Sequence, residues 1–218
     1  MPSDPVQPGE RSAPQSARGN EKVVDEAQRP SPASLLRLAL AGELVLVLLA
    51  LAWARYRGLS LNAAGGPWPR DAAFGVVAAA ALAIVNHWVL CRAPAARPVR
   101  AVRRVYCDLL KPAFAGIGLR EVVVISLAAG IGEELLFRGV LQPEIGLIPA
   151  SLVFGALHMG GRGTLAFGCW VALMGAALGW LAAATGGLLA PILAHALYDA
   201  AALAYIRWGR DCVPGAER

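Results

Sequence analysis

Apolar residues fall along this chain in long runs separated by short polar breaks, the pattern of helices buried on all sides rather than of helices with one wet face. Met1 to about Pro32 is rich in Pro, Ser, Gln and charge and has no apolar periodicity, which predicts a disordered tail over 1–33. The first apolar run, about Leu35 to Tyr56, is long enough to cross a bilayer, and nothing before it has a signal-peptide pattern. Further spans are predicted over Asp71 to about Cys91, about Val122 to Val140, about Leu147 to His158, Thr164 to Thr185 and Leu188 to Trp208. The fourth is short for a full crossing and is expected to tilt or to stop within the protein. Gly58 to Arg70, with N-A-A-G-G-P-W-P and interfacial Trp68, reads as a loop, and Pro191 sits in a first helical turn, where proline is tolerated. The expected fold class is all-α: a polytopic transmembrane helix bundle of about six spans over 34–208, followed by a short C-terminal tail over 209–218.

Composition agrees with this pattern. Hydrophobic residues make up 57% of the 218, charged residues 16%, and the mean hydropathy is +0.54. A formal net charge of +5 could suggest nucleic acid in a soluble protein, but here the basic residues fall between apolar spans, so no nucleic-acid partner is implied. With six spans both ends share one side, and of the 20 Lys and Arg only Arg55, Arg57, Arg70 and Arg138 fall elsewhere. The positive-inside rule then places both termini in the cytoplasm. Arg92 to Lys111 alternates basic and apolar residues like a loop leading into an amphipathic helix on anionic headgroups. Cys91, Cys107, Cys169 and Cys212 are scattered, signal neither a zinc ribbon nor a disulfide framework, and read as small packing residues.

Gly130 to Gly139, G-I-G-E-E-L-L-F-R-G, is the stretch most costly to bury. A charged side chain at the bilayer centre costs roughly 3 kcal/mol, which makes Glu133, Glu134 and Arg138 candidates for function. Glu134 and Arg138 are four apart, about 40° around the helix, and can pair; Glu133 is rotated by about 100° from Glu134 and faces elsewhere. One reading leaves Glu133 free to act, and the other makes all three a structural ion network. Glu43 in the first span either faces the bundle interior or snorkels to an interface. His87 near a helix end reads as interfacial.

Two more patterns lie in spans four and six. Phe154-Gly-Ala-Leu-His158 sets an aromatic and a histidine on one helical face, and His195-Ala-Leu-Tyr-Asp199 does the same with a histidine and a carboxylate. Counted from the turn near Gly146, Glu133 and His158 both lie about 12–13 residues deep, close to 20 Å, while His195 and Asp199 lie about 10–17 Å from the same side. One layer of the bilayer then collects a glutamate, two histidines and an aspartate, the groups that activating a water and stabilising an oxyanion require.

G-E-E-L-L-F-R-G, F-G-A-L-H and H-A-L-Y-D, with L-G-W-L-A-A-A-T-G-G-L-L-A-P-I-L-A-H before the last, resemble the CAAX-processing and bacteriocin-processing (CPBP) family of intramembrane proteases, type II CAAX endopeptidases among them. The resemblance covers roughly Glu121 to Tyr205 and implies a protease core at 117–208. It implies that Glu133 is the general base on the attacking water, with His158 helping to hold it. His195 and the residue four later would stabilise the oxyanion, Glu134 and Arg138 would support them, and Phe154 would lie beside His158. Asp199 stands where some members have asparagine; an ionised aspartate cannot donate to an oxyanion, so it is expected to orient and charge His195.

Members have been described as metalloproteases, and Glu133, His158 and His195 could form a three-ligand zinc site. H-E-x-x-H is absent, and the glutamate-dependent, metal-free form is the expectation. The implied activity is intramembrane proteolysis of a membrane-anchored protein or peptide in a bacterial inner membrane. Its class is CAAX-type, bacteriocin-type or C-terminal sorting-tail processing, with a weak lean to the last. The alternatives are a small proton-coupled transporter, disfavoured by the lack of an inverted repeat, and a non-catalytic immunity or binding protein, disfavoured by the intact motifs.

Overall fold

The computed structural model describes residues 31–209; of the tails expected over 1–33 and 209–218, residues 1–30 and 210–218 lie outside the described residues, while Pro32 and Ala33 belong to the first helix, which starts earlier than expected. Seven helices carry the described chain: α1 Pro32–Arg57, α2 Trp68–Cys91, α3 Arg97–Arg104, α4 Leu119–Leu136, α5 Leu147–Leu157, α6 Leu165–Thr185 and α7 Leu189–Trp208. α3 runs on through a π-helical turn at Val105–Leu110 into Lys111–Phe114, and α4 through another at Phe137–Leu141 into Gln142–Ile145. The all-α class stands, with no strand among the described residues.

The helix ends follow from local chemistry. α1 starts with Ser31 accepting from the Ser34 amide at 3.1 Å, Pro32 in its first turn, and stops at Gly58 in the left-handed region (φ 69°). At the start of α4, Glu121 reaches back to accept from the Gly118 amide at 2.9 Å. Arg103 is buried because its guanidinium caps the end of α2, donating to the carbonyls of Val89 and Ala93. The basic stretch is therefore a helix, as expected, but one of its charges is structural.

α1, α2, α6 and α7 are long and apolar enough to cross a membrane, and the pair Arg97–Phe114 and Leu119–Ile145, bent by 119°, has the length and composition of a broken fifth span or a re-entrant loop. This is an integral membrane protein. The expected third span does not qualify alone, because Arg120, Glu121, Glu133, Glu134, Arg138 and Glu144 crowd it. The expected fourth, α5, has 11 residues, about 16 Å at 1.5 Å per residue, too short for a full crossing. That makes four or five spans where six were expected, and polar contacts tie the elements together at both ends. At one end Arg57 pairs with Glu144 at 2.9 Å, and the Leu188 and Leu189 amides donate to the carbonyls of Asn62 and Ala63. At the other, Arg207 beside the end of α7 donates to the Ile117 carbonyl beside the start of α4.

α7 is central, packing along α2 and α4 and touching α6, while α1 lies outside against α4 and α5 against α6. Lipid tails are as apolar as leucine, so these contacts depend on close approach through small residues. A Cβ at Gly130 would sit 2.9 Å from the Ala196 Cβ and 3.0 Å from the Ile192 carbonyl oxygen, so α4 and α7 touch nearly backbone to backbone. Gly75 does the same between α2 and α7, its Cβ position 2.8 Å from the Ala190 carbonyl oxygen. Gly130→Val is therefore expected to destabilise the bundle by about 1–3 kcal/mol and to separate the α4 carboxylates from His195. An unchanged unfolding temperature in detergent would contradict this contact.

The loop between α1 and α2 is fixed by Asp71, which is 1% exposed. Its carboxylate accepts from the Gly65 and Gly66 amides at 3.1 and 3.2 Å and from Arg70 at 2.9 Å. A carboxylate in the first turn also suits the helix dipole. Cys91, read from the sequence as a packing residue, is disulfide-bonded.

Candidate active site

Glu134 is fully buried in α4, with a charged or polar partner facing each carboxylate oxygen and a hydrogen bond at Oε1 alone. One faces Arg138 at 3.1 Å, the partner its four-residue spacing predicts. The other faces His195 Nδ1 of α7 at 2.8 Å. The sequence points to Asp199 alone as the residue that orients His195; the structure adds Glu134. The signal was the unused acceptor capacity of a buried carboxylate, which has about four lone-pair sites.

Arg138 is placed by the π-helical turn at Phe137–Leu141, a distortion frequent at functional sites. Its guanidinium donates to the Gly175 carbonyl at 2.8 Å and lies 4.7 Å from the centre of the Phe154 ring. Gly175 is small because a Cβ there would lie 2.9 Å from Phe154 and 3.4 Å from Arg138. Phe154 in turn lies 4.7 Å, centroid to centroid, from the His158 ring, as the F-x-x-x-H spacing suggests.

Glu133 points away from that pair. Its Oε1 lies 4.0 Å from His158 Nε2 and its Oε2 3.8 Å from His195 Nε2. Oε2 is buried without a hydrogen-bond partner. His158 follows the last residue of α5, and its Nδ1 meets the Phe154 carbonyl at 2.8 Å. A carbonyl only accepts, so that nitrogen carries the proton and a neutral ring keeps its Nε2 lone pair toward Glu133. His195 Nε2 also lies 3.5 Å from Asp199 Oδ2, one turn along α7. Glu133, His158, His195 and Asp199 thus converge from α4, the end of α5 and α7.

Two residues of the first two spans join them. The Glu43 side chain lies against Gly132, whose added Cβ would meet Glu43 atoms, and its Oε2 is buried without a hydrogen-bond partner. It is within electrostatic range of Glu133, His195 and Asp199, which selects the interior reading over snorkelling. Asn86 of α2 is buried and faces the same cavity. His87 does not reach it; its ring packs edge-on against Tyr205.

The cavity has a volume of about 260 Å³. Glu133, His158, His195 and Asp199 line it, and the wall toward the α3 stretch is apolar, with Val102, Tyr106, Leu110, Phe114 and Ile125. Four ligand atoms about 2.1 Å from a tetrahedral zinc lie roughly 3.4 Å apart. The 4.0 and 3.8 Å separations from Glu133 exceed this. Among the described residues no group of three or more His, Cys, Asp or Glu side chains is placed to hold a metal ion.

Fold and cavity together define a polytopic helical membrane protein whose titratable groups converge in one layer, with His195 buried, Glu133 mostly buried, and His158 and Asp199 partly exposed. Residues 116–201 match the family model described as Type II CAAX prenyl endopeptidase Rce1-like, which bears out over that stretch the resemblance carried by the motifs. Over 98 residues the chain is 36% identical to an uncharacterized protein, YpbD, of Bacillus subtilis (strain 168), covering 45% of this chain and 52% of that protein. The chain thus spans about half the length of that curated relative. No solved structure matches it.

Proposed function

We propose that the protein is an intramembrane endopeptidase in which Glu133 activates a water molecule to attack a peptide bond of a membrane-anchored protein or peptide. The observation that carries this reading is the Glu133 carboxylate set 4.0 Å from His158 Nε2 and 3.8 Å from His195 Nε2, facing an apolar-walled cavity. A water about 2.8 Å from each of two acceptors holds them roughly 4–4.5 Å apart, so one hydrogen can point to Glu133 and the other to His158 Nε2.

In the proposed sequence Glu133 takes the proton as the water oxygen attacks the carbonyl carbon, then gives it to the departing amine. A doubly protonated His195, balanced by Glu134 at Nδ1 and Asp199 near Nε2, presents an N–H to the developing oxyanion. Arg138 neutralises Glu134 and holds it in place. Glu133, His158, His195 and Asp199 are the proposed catalytic residues, with Glu134, Arg138 and Phe154 in support. No metal takes part in this sequence.

The basic residues support a bacterial inner-membrane protein with both termini cytoplasmic. The substrate class proposed is a C-terminal sorting tail, ahead of CAAX-type or bacteriocin-type peptides. The test is cleavage in liposomes of two dye-labelled peptides, one farnesylated and ending in C-a-a-X, one carrying a C-terminal apolar tail. Wild type is expected to cut the second, with two products by mass spectrometry. Cutting only the first would move the assignment to CAAX processing, and cutting neither would overturn the endopeptidase reading.

A further inference from the structure

A peptide bond can be hydrolysed at membrane depth only if the flanking substrate backbone is held extended with its N–H and C=O groups satisfied, because each unsatisfied group in an apolar surround costs several kcal/mol. The wall of the 260 Å³ cavity between the Glu133 layer and the α3 stretch offers few such partners. Tyr106 spends its hydroxyl proton on the Ala202 carbonyl at 3.3 Å, and the Tyr198 oxygen accepts from the Trp170 N–H, since indole only donates. Among the described residues of that lining Asn86 is the one side-chain amide, able to donate and to accept. It is 9% exposed, lines the cavity beside Tyr198 and Ala202, and its amide has no hydrogen-bond partner among the described residues. It also borders a second, smaller cavity with His87 and Tyr205, so it stands in a thin wall and not in solid packing.

A primary amide in that place is costly unless something uses it. It sits in the last turns of α2 opposite Ala202, which is one turn beyond Tyr198 and Asp199 toward the α3 end of the bundle. A chain entering from that end to reach Glu133 passes Asn86 first. An amide both donates and accepts, which is the complement of a peptide group, and it carries no charge to repel one. It belongs to α2, outside the 116–201 stretch that carries the family match.

Resting on the endopeptidase reading, we infer that Asn86 is a substrate-positioning residue: its amide pairs with one backbone peptide group of the substrate beside the scissile bond and sets the register of cleavage.

The test uses full-length wild type, Asn86→Ala and Asn86→Leu in liposomes, with the apolar-tail and farnesylated peptides. Each peptide is also made with an ester replacing, one at a time, each of the three peptide groups on either side of the cut. Leucine keeps the volume and suits a membrane helix, so it separates a lost hydrogen bond from a lost fold. Both variants are expected to raise KM about tenfold with kcat within about twofold, the size of one lost hydrogen bond, and to shift or scatter the cut position. One ester peptide is expected to show the same tenfold rise in wild type and no further rise in the variants. An unchanged KM in both variants, or a rise equal for every ester peptide, would overturn the assignment while leaving the protease reading intact. Failure of wild type to cut any peptide would overturn both.

Discussion

Glu133→Gln is expected to lower peptide cleavage by about 10²–10⁴-fold, the range that a positioned general base contributes, while leaving the bundle as stable as before. Glutamine keeps the volume and the acceptor oxygen but cannot take a proton from water. Stability is spared because Oε2 of Glu133 is buried with no hydrogen-bond partner, and neither imidazole lies within hydrogen-bond distance. The combination separates two readings of the acidic pair. If Glu133 belonged to a structural ion network, the same change would lower the unfolding temperature in detergent. Wild-type cleavage by Glu133→Gln would remove it from the chemistry.

The opposite pattern is expected one residue on. Glu134→Ala leaves the Arg138 guanidinium, on a side chain 2% exposed, without its carboxylate and strips His195 Nδ1 of its partner. Breaking a buried pair from one side costs roughly 3–5 kcal/mol, because an uncompensated charge stays behind. Thermal unfolding should register this as a large loss before any assay is run. Replacing both partners, Glu134→Leu with Arg138→Met, removes the stranded charge and is expected to recover much of the stability. Activity should stay low in the double variant, since His195 then has no carboxylate at Nδ1 to orient it. Recovery of activity with stability would reduce Glu134 to a mere counter-ion for Arg138.

What could be read from the sequence is what one helix decides alone. Four-residue spacing fixes the angle between two side chains, so the Glu134–Arg138 pair, the Phe154–His158 stack and the nearness of His195 to Asp199 were legible before any fold was known. Depth was legible too, since rise per residue put Glu133, His158 and His195 in one layer, and both imidazoles lie within about 4 Å of the Glu133 carboxylate. Contacts between helices were not. The Glu134–His195 bond, the Arg138 bond to the Gly175 carbonyl, and Glu43 against Gly132 depend on which faces meet, and small residues such as Gly130 and Gly175 decide that. The π-helical turn that seats Arg138 leaves no mark in residue type. The span count was blurred because α4 carries the candidate site, and the charges there hide the helix from hydropathy.

The central claim is that a carboxylate, Glu133, activates the attacking water. Its most direct test is cleavage of the apolar-tail peptide in liposomes by wild type stripped with a chelator, beside Glu133→Gln treated identically. Full cleavage by stripped wild type and a loss of about 10²–10⁴-fold in the variant are expected. Loss of wild-type cleavage on stripping, restored by added zinc, would contradict that claim.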